Sequence, residues 1–131
     1  MTAKVAIYDH GVPWEKEYGV TQGYSVHGAI YISGQFAHDM KGDFVGEGDF
    51  DAQARQTFEN LDRVLEGFDV TKSNLAEVVI YLTKPTEHFE RCVQLYKQYL
   101  GSHRAAGTLI GVSGLAFPHQ LIEIRAVAHT N

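Results

Sequence analysis

The chain has 131 residues, 44% of them apolar and 21% charged, with seven Phe, seven Tyr and one Trp; this is a globular composition sized for a single domain over residues 1–131, and it excludes wholesale disorder. Eleven Lys and Arg against sixteen Asp and Glu leave a net charge of −5, with no run of three basic residues, so a phosphate backbone is repelled and nucleic acid is not an expected partner. The longest apolar stretches are strand-sized, so no membrane partner is expected. The N-terminus lacks the apolar core of a signal segment, and the lone Cys92 cannot form an internal disulfide; the expected location is the cytoplasm.

In chain order, Val5 and Ile7 mark a short first strand. Residues Glu17 to His27 alternate weakly, turn at His27-Gly28 and continue as Ala29 to Gly34, which reads as a hairpin. Residues 38–48 read as a polar, Gly-rich loop. Phe50, Ala54, Thr57, Phe58, Leu61, Val64, Leu65 and Phe68 then recur at steps of three and four, the spacing of one helical face, with Asp49 and Asp51 at its start and Gly67 near its end. Leu75 to Thr83 is a strand rich in Val, Ile and Tyr. A second helix is expected to begin with Thr86 as N-cap, to carry Phe89, Cys92, Val93, Tyr96, Tyr99 and Leu100 on one face, and to stop at Gly101. Strands at Thr108–Val112 and Leu121–His129 complete the chain.

Each helix falls between strands, which predicts an α+β architecture with right-handed crossovers and both helices on one face of a mixed sheet. Two helices cover only one face. Yet Leu75–Thr83 puts Val79 and Tyr81 on the other face, and Leu121–His129 puts Leu121, Glu123, Arg125 and Val127 there. A solvated face would alternate more cleanly, so a second copy of the chain is expected to cover it, making a homo-oligomer.

The seven histidines are scattered, with no pair at i+3 or i+4 and no Cys-x-x-Cys or His-Glu-x-x-His, so no metal and no other cofactor is expected. Cys92 sits on an apolar helical stripe and reads as packing rather than as a reactive thiol. Gly107 and Gly111, in or beside a strand, mark either close backbone packing or a cavity wall. Glu123, within Leu121-Ile122-Glu123-Ile124, lies on the face expected to be buried by a partner. It is either a site carboxylate or one half of an interface ion pair, Arg125 being its nearest cation along the strand.

Val26 to Gln35 resembles the hairpin and Ser-Gly-Gln turn of the RidA (YjgF-like) family. Asp51 to Leu61 resembles that family's first helix, with its Gln-x-Arg-Gln-x-x-x-Asn-Leu pattern; Val79–Thr83, the Phe89–Leu100 helix and Ile122–Ala128 continue the likeness over about residues 18 to 129. The resemblance implies a chorismate-mutase-like α+β fold and a homotrimer with a central β-barrel. Small-molecule ligand pockets would lie between its subunits. Family members hydrolyse enamines and imines, with an Arg clamping the substrate carboxylate and a Glu holding the attacking water. Glu123 stands at that Glu position, as the implied catalytic residue, and Ser33 at a pocket serine. Where deaminating members read Pro-Ala-Arg-Ser, this chain reads Ala105-Ala106-Gly107-Thr108, so Gly107 replaces the clamp. Leu109 stands for a Cys, Val20 for a Tyr and Val93 for an Asn. Arg104, Arg125 and His119 are the other donors available to replace the lost clamp.

The resemblance therefore implies a divergent imine- or enamine-acting hydrolase or tautomerase. Its implied substrate-binding residues are Ser33, Val20, Val93, Gly107, Thr108 and Leu109. The alternatives are a non-catalytic metabolite-binding or chaperone-like trimer and, less favoured by the acidic charge, an endoribonuclease.

Overall fold

A computed structural model of the chain describes residues 3–131. Six strands form one mixed sheet: β1 (Val5–Tyr8), β2 (Gly23–Val26), β3 (Ala29–Gln35), β4 (Leu75–Leu82), β5 (Ala106–Gly111) and β6 (Ile122–His129), in the order β1-β2-β3-β6-β4-β5. Every neighbouring pair is antiparallel except β4 and β5. That one parallel pair is joined through helix α3 (Pro85–Leu100), as parallel neighbours require a crossover. The β2–β3 hairpin closes on His27 and Gly28 with φ of 51° and 79°, the doubly left-handed turn that matches strand twist.

Helix α2 (Phe50–Gly67) follows the expected boundaries; Asp49 caps it by accepting from the Ala52 amide at 3.0 Å. Its stripe of Ala54, Leu61, Val64 and Leu65 packs with Cys92 and Leu95 of α3 onto Ile30, Val78, Ile80, Ile122 and Ile124 of the sheet. The helices thus share one face of the sheet. They are pinned together by Arg91, whose Nε donates to the Asp51 carboxylate at 3.0 Å, and by Phe58 stacked on Tyr99 at 4.6 Å.

The start of the second helix needs correcting. Its N-cap is Lys84, not Thr86, and the helix opens with Pro85, whose missing N–H costs nothing in a first turn. Glu17 and Tyr18 are not strand residues either: they belong to a short helix, α1 (Trp14–Tyr18), and the strand begins only at Gly23. Glu15, 2% exposed, holds α1 in place by accepting from the amides of His10, Gly11 and Val12 at 2.8–3.1 Å. The 38–48 loop is less polar in its packing than in its composition. Phe44 joins a cluster with Phe36 and Phe117, and Trp14 packs on Phe36 and His38.

The opposite face of the sheet carries no helix. Cross-strand pairing lines up Ile7, Tyr24, Tyr31 and Val127 on it. Ile7, Tyr24, Tyr31 and Ile110 are 40–59% exposed.

Candidate functional site

On β6 the alternation puts Ile122, Ile124 and Ala126 in the core and Glu123, Arg125 and Val127 on the uncovered face. Glu123 is half-buried, and burial pushes its carboxyl above the ordinary Glu value against the opposing pull of the Gln120 amide. That amide donates to Glu123 Oε1 at 3.1 Å, from a side chain only 2% exposed. Facing the carboxylate is Gly34. The β3–β6 ladder breaks register between Ile32 and Gln35, and a Cβ built on Gly34 would come within 2.8 Å of Glu123 Cδ. The glycine is therefore the space in which the carboxylate sits. Beside it, exposed Ser33 donates from Oγ to the Thr21 carbonyl at 2.7 Å, and Val20 is 45% exposed next to Thr21. Ser33 thus adjoins Gly34, which faces Glu123, and Val20 adjoins the Thr21 to which Ser33 is bonded.

The break is braced from behind. Gln35 Nε2 donates to Gln22 Oε1 at 2.8 Å and to the Ser33 carbonyl at 3.0 Å, so its Oε1 accepts from His10 Nε2 at 2.8 Å. His10 Nδ1 is then the acceptor for the Tyr8 hydroxyl at 3.2 Å. Burial holds His10 below the ordinary His value, as it does His38, whose ring lies 5.5 Å away. The unfolded chain therefore binds more protons below pH 6.5 than the folded one does, and stability drops as pH falls from 6.5 toward the lowered folded values. His10→Gln keeps a donor toward Gln35 but does not titrate. Its thermal midpoint should fall less than the wild type's across that window, and parallel slopes would show that His10 is no source of the effect.

The remaining residues singled out from the sequence lie elsewhere. Val93, Gly107, Thr108 and Leu109 line a cleft of about 360 Å³ between α3 and the edge strand β5, floored by Val78 and Ile80. Burial raises the Cys92 thiol to about 11, so it stays protonated and acts as an apolar wall. A Cβ on Gly107 would meet nothing closer than the Val78 carbonyl at 3.9 Å and Tyr96 Oη at 4.0 Å, so the position would admit a side chain in ordinary van der Waals contact. Among the cleft residues that escaped the sequence reading as site residues are Tyr96 and Lys97. Their signal is simple: they stand three and four positions beyond Val93, on the same helical face.

The two clusters do not meet within one chain. Leu109 pairs with the core-facing Ile80, whereas Glu123 pairs with Tyr81, which pairs with Ile110. The cleft therefore opens on the helical side and Glu123 on the bare side of the sheet. No arginine fills the place of Gly107: neither Arg104, Arg125 nor His119 lines the cleft. Arg125 donates from Nε to the Tyr81 hydroxyl at 2.9 Å and lies 4.0 Å from Glu77, so its ion pairing is not with Glu123. His119 stands edge-on to Phe44 at 4.4 Å, beside a separate polar hollow of about 660 Å³ under residues 113–121. Among the described residues, no three potential metal ligands converge and no helix is long and apolar enough to cross a membrane.

A mixed sheet backed on one face by two helices is the fold shared with structures of the YjgF family. The family model described as endoribonuclease L-PSP matches residues 15–130, and the chain belongs to that family. A RutC family protein of Pyrococcus horikoshii is 32% identical over 100 residues, covering 76% of this chain and 78% of that one. The 3-aminoacrylate deaminase RutC of Acinetobacter baylyi is 31% identical over 100 residues, again covering 76% and 78%. A crystal structure of a YjgF/YER057c/UK114 family member from Mycobacterium tuberculosis superposes with a TM-score of 0.85 over 97% of this chain and 100% of that one, at 19% identity. The α+β fold expected from the sequence is thus the fold observed.

Proposed function

We propose that the protein acts as a homotrimer whose ligand site is completed between copies, the α3–β5 cleft of one facing Val20, Ser33 and Glu123 of the next. The observation that carries this reading is that the cleft and the carboxylate lie on opposite faces of one sheet, while the bare face exposes Ile7, Tyr24, Tyr31 and Ile110. An exposed apolar surface of that extent favours a covering partner.

The reaction proposed is hydrolysis or tautomerisation of an imine- or enamine-type metabolite. Burial raises the proton affinity of the Glu123 carboxyl, which suits it to general acid–base work, and Glu123 would hold the water that attacks the C=N carbon. The kinship with a 3-aminoacrylate deaminase supports C–N chemistry. The open position at Gly107 argues against simple 2-imino acids, whose carboxylate finds no bidentate donor there. Ammonia release from a panel of imines and enamines tests this. Glu123→Gln should lower turnover by about 100-fold or more while ligand binding persists. Fast wild-type turnover of a 2-aminoacrylate-derived imine would contradict the weight placed on Gly107.

A second reading is a binding trimer without turnover, favoured by a cleft wall that holds a protonated thiol and no carboxylate or imidazole. It requires binding that survives Glu123→Gln and no ammonia from any substrate. Endoribonuclease action, the description attached to the family model, is disfavoured by the net charge of −5.

A further inference from the structure

Resting on the reading of the α3–β5 cleft as the ligand site, a narrower statement about its occupant is possible. We infer that the Tyr96 hydroxyl is the polar anchor of the cleft, and that the ligand is an uncharged compound with an apolar body and one carbonyl or imine acceptor.

The Tyr96 oxygen is buried and has no hydrogen-bond partner. A buried hydroxyl left unpaired is costly, and such a group in a cavity wall is satisfied most simply by what enters the cavity. It borders the space beside Gly107, where a Cβ would sit 4.0 Å from it. Burial raises the phenol above its ordinary value, so it remains a donor at any physiological pH. Apart from Thr108 and Lys97, the rest of the wall is apolar: Phe89, Cys92, Val93 and Leu109, over Val78 and Ile80. Phe89 is 51% exposed and forms a lip that an apolar body would cover.

The same wall rejects a carboxylate. The one cationic side chain of the lining is Lys97, which is itself exposed to solvent. A carboxylate placed against Gly107 would lose its water and gain at most two neutral hydroxyl donors, from Tyr96 and Thr108, short of the charged bidentate donor a buried anion needs. A volume of about 360 Å³ lies in the range of small-molecule sites.

Phenylacetone and phenylpyruvate make a matched pair of probes, since they share an aryl group and a ketone and differ by a carboxylate. Titration calorimetry on the full chain should show phenylacetone binding at millimolar concentration and phenylpyruvate about tenfold weaker or worse. Tyr96→Phe should weaken phenylacetone about five- to tenfold. It should leave the thermal midpoint unchanged or slightly raised, because no internal hydrogen bond is lost. Leu109→Trp, and Val93→Trp from the helical wall, should fill the cleft and abolish binding. Absent phenylacetone binding, equal affinity for both probes, or full affinity in Tyr96→Phe would each overturn the inference. If the tryptophan variants still bind, the cleft is not the ligand site and the functional reading falls with the anchor. If they abolish binding while Tyr96→Phe does not, the anchor alone is wrong.

Discussion

Replacing Gln53 by alanine should destabilise the protein by about 3 kcal/mol, more than almost any other polar substitution in the chain. Gln53 is fully buried on α2, and its side chain ties three segments together. Its Nε2 donates to the carbonyls of Gly46 and His119 at 3.0 and 3.1 Å, and its Oε1 accepts from the Leu121 amide at 2.8 Å. Alanine leaves those backbone groups without their partner in a buried setting, and each such group costs about 1–3 kcal/mol before any water enters. The damage should also be local in character. His119 and Leu121 flank Gln120, the residue whose amide holds Glu123, so hydrogen exchange of the Leu121 amide should accelerate more than that of the central strands. Denaturant unfolding of Gln53→Ala beside the partly exposed neighbour Gln56→Ala makes the comparison. A loss no larger than that of Gln56→Ala would show that Gln53 does not staple the loop.

The second large effect concerns assembly. Val127 stands at the middle of the bare face, paired with Tyr31 on one side and with Glu77 on the other. Val127→Asp sets a carboxylate beside Glu77 on a surface that, in the proposed trimer, is dry. In the isolated chain Val127 is half-exposed, so the fold should tolerate the change at about 1 kcal/mol. Between copies, desolvating two neighbouring carboxylates should convert the assembly to single chains, read as a threefold drop in mass by sedimentation equilibrium. Turnover should vanish with the assembly. A wild-type protein that sediments as one chain would end the intersubunit reading outright.

These residues show where sequence reasoning succeeds. The three- and four-residue recurrence from Phe50 to Phe68 survives because α2 is long enough for its period to dominate local noise. A charge between Ile122 and Ile124 stands out on a strand, and the carboxylate is indeed half-buried with a raised proton affinity. What stayed hidden depends on contacts between distant segments. Helix α1 has five residues and too few turns to show a period; it forms because Glu15 gathers three amides and Gly19 closes the end with φ of 75°. The 38–48 loop reads as polar because Met40, Phe44 and Val45 are its few large apolar residues, yet Phe44 finds Phe36 and Phe117 across the fold. Tyr96 looked like packing because helical spacing places it on an apolar face without saying that its hydroxyl ends there alone. Alternation already set Glu123 on the bare face, but that Leu109 faces the helices depends on its register against β4, which only the pairing of distant strands fixes.

The seat of Glu123 couples two sites that lie 89 positions apart along the chain. Because the carboxylate occupies the volume that a side chain at position 34 would claim, a methyl group gained there would push the flexible carboxyl end of Glu123 aside while leaving its strand in place. The glycine therefore governs where the acid points, and a shorter residue at 123 would free position 34 from that duty.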